Sequence, residues 1–115
     1  MKNDKFIITN LIKNLIYSFD KYLTNFPHEY IELKKNIMNT SYEMLKIAYE
    51  ANNTYDRNKR IDIQDKMISY IKYLDFLINS CYDKKIVNNK KYLKFGEDLD
   101  YLIKYIFAWR NKTRA

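Results

Sequence analysis

The chain is poor in the residues that make turns and sites. Its 115 residues contain one glycine, one proline, one cysteine and one histidine. All-β and doubly wound folds need many tight turns and phosphate loops, which glycine serves because it accepts positive φ, so one glycine argues against both. A lone cysteine, Cys81, makes no intramolecular disulfide. That composition suits a reducing cytoplasm. Long apolar runs are also missing. The opening MKNDKFIITNLIKNLIYSFDKYL has a lysine and an apolar segment, as a signal peptide would. However, Asn10, Lys13, Asn14, Ser18 and Asp20 interrupt the apolar positions at helical spacing, and no small-residue cleavage site follows. Nothing approaches the ~18–20 apolar residues of a membrane span. The expectation is a soluble, unprocessed cytoplasmic protein with no membrane partner.

What the chain does have is 47% hydrophobic residues, enough for a core, and a formal charge of +7. The apolar residues recur with a 3.6-residue period in four stretches. Ile8, Leu11, Ile12, Leu15, Ile16, Phe19, Tyr22 and Leu23 form the first stripe. Pro27 lacks an N–H and disfavours helix at Phe26, so the chain turns there. A second stripe runs Tyr30, Leu33, Ile37, Ser41, Met44, Leu45, Ala48, with Ser41 and Ala48 small enough for a close neighbour. Asn52, Asn53 and Thr54 break it, and residues 55–60 read as a loop. The third stripe is Ile63, Met67, Tyr70, Ile71, Leu74, Leu77, Ile78, Cys81. Asn88 is a plausible N-cap for a last helix carrying Tyr92, Phe95, Leu99, Leu102, Ile103, Ile106 and Trp109. Gly96 inside it costs up to about 1 kcal/mol relative to alanine and suggests a close helix contact or a local irregularity. The pattern predicts helices over about 5–24, 28–52, 61–82 and 89–110 in one all-α domain. Short connections favour antiparallel neighbours, hence an up-down-up-down four-helix bundle.

That topology locates the charge. The end holding both termini and the second connection carries +6, the opposite end carries +4, and the helix bodies carry −3. Arg57, Lys59, Arg60, Arg110, Lys112 and Arg114 form one cluster, rich in guanidinium forks that suit phosphate. Lys84, Lys85, Lys90, Lys91 and Lys94 form the other. Either cluster can track a nucleic-acid backbone through counterion release, and either can serve only to keep a small protein soluble. The solubility reading suits the lysine cluster better.

The case for catalysis is thin. His28 follows Pro27 in a turn, beside Glu29, and no serine or cysteine is placed to act as its nucleophile. Cys81 sits on an apolar stripe as a small hydrophobe. Asp62 and Asp65, like Glu97, Asp98 and Asp100, lie near helix starts and complement the helix dipole. A carboxylate di-metal site in a bundle needs Glu-x-x-His on two helices, which a single histidine forbids. There is no phosphate-binding glycine loop and no zinc spacing. No enzyme, metal or cofactor is expected. Twelve tyrosines are many, and an AT-rich coding sequence is their simplest cause. Tyr17, Tyr42, Tyr49, Tyr73 and Tyr105, with Ile31, Ile47, Phe76 and Phe107, nevertheless fall off the core stripes. They suggest a second apolar surface and a homo-oligomer.

A first helix ending in Phe26-Pro27 is followed by Glu29-Tyr30-x-x-Leu33-x-x-x-Ile37. Then come Ala48-x-x-Ala51-Asn52 and a last helix Leu99-x-x-Leu102-Ile103-x-x-Ile106-x-x-Trp109. Over about residues 6–110 this resembles a family of small bacterial four-helix-bundle proteins. One branch is the accessory variability determinant (Avd) proteins of diversity-generating retroelements. The other is encoded in intervening sequences of ribosomal RNA genes. The first branch implies a basic homopentamer that binds RNA or DNA and associates with the element's reverse transcriptase in mutagenic retrohoming. The second implies a protein–protein scaffold with no nucleic-acid function of its own. Family members often carry small residues just before the tryptophan, where this chain has Phe107 and Ala108.

Overall fold

The computed structural model describes the backbone of residues 4–115 and the side chains of residues 6–115. The charge expected from residues 1–5 lies outside the described side chains. Four helices follow in order: α1 (Asp4–Tyr22), α2 (Ile31–Asn52), α3 (Arg57–Asp83) and α4 (Asn89–Arg114), with a 3-10 turn at His28–Tyr30 before α2. Among the described residues there is no strand. Each helix packs against its two neighbours, α1 on α2, α2 on α3, α3 on α4 and α4 on α1. The backbones of the diagonal pairs stay apart, which closes an antiparallel bundle measuring 44 × 24 × 19 Å.

The four stripes face one core. Ile8, Ile12, Phe19, Ile37, Met44, Met67, Leu74, Ile78, Phe95, Leu102 and Ile106 are fully buried, each contributing about 1.5–3 kcal/mol by leaving water. Phe19 of α1 meets Phe95 of α4 with ring centroids 5.0 Å apart, joining the first and last helices. Ser41 and Ala48 are both buried. Ser41 satisfies its hydroxyl by donating to the Ile37 carbonyl at 2.7 Å, which lets a polar group sit in the core.

Several boundaries differ from the sequence pattern. The segment after Pro27 is not yet α-helical. Pro27 is extended (ψ 136°) and His28–Tyr30 form a single 3-10 turn, so α2 begins at Ile31 rather than at 28. Residues 57–60 are not a loop. Asp56 is an N-cap whose carboxylate accepts from the Lys59 N–H at 3.0 Å, which starts α3 four residues before the expected 61. Asn88 caps α4 as expected, accepting from the Lys91 N–H at 2.8 Å. That helix runs on to Arg114, past the expected end at 110. Gly96 marks neither a close contact nor an irregularity. It lies within continuous helix, and a Cβ there would meet nothing within 4 Å. Ile47 does not belong to an outer surface, because it is buried in the core.

Candidate nucleic-acid interface

The two basic clusters lie at opposite ends of the bundle and are built differently. At the terminal end, α3 starts where α4 finishes. Arg60 turns back to the loop that precedes it, donating from Nε and Nη2 to the Thr54 carbonyl at 2.9 and 2.6 Å. Thr54 in turn donates its hydroxyl to the Glu50 carbonyl at 2.7 Å, so Arg60 ties the end of α2 to the start of α3. Arg110 is 20% exposed and pairs with Asp65 at 2.8 Å across the α3–α4 interface. Its guanidinium also lies 5.0 Å from the centre of the Phe107 ring, which gives that large residue a packing role. Beside it, buried Gln64 donates to the Thr113 hydroxyl at 2.9 Å. Two of the six expected phosphate ligands, Arg60 and Arg110, are therefore occupied in holding the bundle. Arg57, Lys59 and Arg114 are exposed and form no ion pair among the described residues, and Lys112 is exposed beside them.

The lysine end carries surface grooves. The α3–α4 turn is a compact C-cap: the Ile86 N–H reaches the Cys81 carbonyl at 2.8 Å and the Lys85 N–H reaches Tyr82 at 3.0 Å, with Lys85 at φ 60°. Around that turn lies a surface groove of about 730 Å³ walled by Tyr82, Lys85, Asn88 and Lys91. Tyr82 stacks on Tyr92 with centroids 4.2 Å apart, and the Tyr92 hydroxyl donates to Asn79 at 2.6 Å. Lysine ammoniums sit over aromatic rings here: Lys84 is 5.5 Å from the Tyr30 centroid, and Lys91 and Lys21 are 5.4 and 5.3 Å from Tyr22. Lys94 pairs with Asp98 at 3.2 Å, and Lys90 is exposed. The interleaving of lysines with tyrosines at this end was hidden in the sequence, because Lys21, Tyr22, Tyr30 and the α3–α4 turn meet only in the folded bundle.

The residues weighed for catalysis fall in different settings. His28 is exposed in the 3-10 turn. Cys81 is fully buried, and burial pushes its thiol up to about 11, away from the reactive thiolate. The acidic residues lie further into their helices than the first turn, where the dipole acts. Asp65 and Asp98 are instead partners of Arg110 and Lys94. Among the described residues no group of three or more His, Cys, Asp or Glu is placed to hold a metal, and no helix is long and apolar enough to cross a membrane. Of the second apolar surface, Tyr17 (68%) and Phe76 (64%) are the most open. Tyr42, Tyr49 and Tyr73 are exposed as well. Ile31, Tyr105 and Phe107 are half-buried.

No protein-family model, curated protein or solved structure matches the chain. The family resemblance rests on packing positions alone.

Proposed function

We propose that the protein is a non-enzymatic nucleic-acid-binding bundle that serves a reverse transcriptase as an accessory subunit, in the manner of diversity-generating retroelements. The observation that carries the binding is the separation of charge. Exposed cations gather at the two ends of a body 44 Å long, while the helix flanks between them are slightly acidic. Such an arrangement attracts a polyanion to the ends and repels it from the sides. The link to a reverse transcriptase rests on the resemblance, as does a homopentamer, and the exposed tyrosines offer an apolar surface for self-association.

The terminal cluster is tested by reversing the cations that the fold does not use. Arg57→Glu, Lys59→Glu and Arg114→Glu together should weaken RNA or DNA binding about tenfold or more at low salt, with unchanged helicity. An unchanged electrophoretic shift would remove that cluster from the interface. Reversal of Arg60 or Arg110 is a poorer test, because both hold the fold.

A second reading, a protein–protein scaffold of the ribosomal intervening-sequence branch, is favoured by the exposure of Phe76 and Tyr17, which are large apolar side chains open to water. It predicts oligomerisation by light scattering without nucleic-acid binding at physiological salt.

A further inference from the structure

We propose that the lysine end receives an unpaired nucleotide of a single strand, its base entering a cleft between α1 and α4 and its flanking phosphates meeting the lysines on the rim. This rests on the nucleic-acid reading above and adds to it a place and a preference for unpaired strands.

The cleft has a volume of about 200 Å³ and is lined by Tyr22 and Phe95, with Asn88, Lys90, Lys91 and Lys94 around it. That is room for one nucleobase and too little for a base pair. Phe95 is fully buried behind Tyr22, edge to face with centroids 6.4 Å apart, so half-buried Tyr22 is the aromatic side chain a base can reach. Aromatic side chains bind bases with little regard to sequence, because every base has a π-face. The charge around this cleft is mostly of one sign. Lys21 and Lys91 hold their ammoniums 5.3 and 5.4 Å from the Tyr22 ring centre, and Lys90 lines the same cleft. Cations gathered around one cleft favour a phosphate near them. Lys94 contributes less, since Asp98 partly neutralises it.

Lys91 also connects the cleft to its surroundings. It lines the groove around the α3–α4 turn, where Tyr82 presents an exposed ring and Lys85 a second cation. It further lines a smaller groove shared with Lys21, Tyr22, Phe26 and Ile86. A strand with one base in the cleft therefore finds a cationic path on either side. A duplex can meet the lysines but cannot place a base. Of the acidic groups here, Asp83 lines the groove around the turn and Asp98 is already paired with Lys94.

The test is fluorescence anisotropy of the full chain with a labelled oligo-dT or oligo-rU strand of about a dozen nucleotides, against a duplex of equal phosphate count. The single strand should bind about tenfold tighter or more. Lys90→Glu with Lys91→Glu, the first exposed and the second half-buried, should cost the single strand about tenfold or more. Tyr22→Leu should weaken the strand by about tenfold and leave the duplex unchanged. Circular dichroism checks that each variant is folded. Equal affinity for strand and duplex, or a strand indifferent to the double lysine reversal, overturns the assignment while leaving nucleic-acid binding intact. Failure of the unmodified protein to bind either probe removes both readings.

Discussion

Lys85 has φ 60°, in the left-handed region that costs an L-residue about 1–2 kcal/mol and that glycine enters freely. The chain's one glycine is elsewhere, at Gly96 in the middle of α4, where no neighbour comes near enough to require the missing side chain. Both positions are open to improvement. Gly96→Ala should stabilise the fold by about 1 kcal/mol through helix propensity, read as a rise in Tm of about 4 °C. Lys85→Gly should stabilise it by about 0.5–1 kcal/mol by relieving the turn, less the entropy glycine adds to the unfolded chain. Urea unfolding of the two variants measures both effects, and because one site is in the α3–α4 turn and the other within α4, the effects should add. A rarity of glycine was visible in the sequence. Its meaning at position 96 was not, because a helical glycine at a tight contact and one facing a gap look alike until the neighbouring helix is placed.

The elements were legible where apolar periodicity was strong and misjudged where a polar cap decided. The stripes around Phe19, Met44, Leu74 and Leu102 all face the core they predict. The segment Tyr55–Arg60 looked like loop because it is polar throughout, yet Asp56 caps the N–H of Lys59 and Arg60 fastens to Thr54, so helix begins at Arg57. A lone Asp three residues before a lysine is a weaker signal than a run of charge. Asp56→Ala should therefore cost about 1 kcal/mol and loosen the start of α3. Hydrogen exchange at residues 57–60 should quicken selectively. If the variant is as stable as the parent with unchanged exchange, the cap is not what starts the helix. The same early start changes the candidate site: it places Arg57 and Lys59 on a helix rather than a mobile loop, and it commits Arg60 to the backbone.

At the scale of the whole molecule, the charge of +7 resolves into two ends of different character. The sequence located both clusters through topology alone. It could not show that Asp65 holds Arg110, since the two are far apart along the chain and meet only across the α3–α4 interface. Nor could it show the concavity at Lys91, which needs the end of α1 and the α3–α4 turn side by side. The central claim, that these ends bind nucleic acid by releasing counterions, makes a thermodynamic statement about the intact protein. It is tested by the affinity for a single-stranded oligonucleotide measured across a salt titration. With a few lysine and arginine contacts, log affinity should fall against log salt with a slope of about −2 to −4. Absence of binding at about 50 mM salt, or an affinity that does not change with salt, would contradict it.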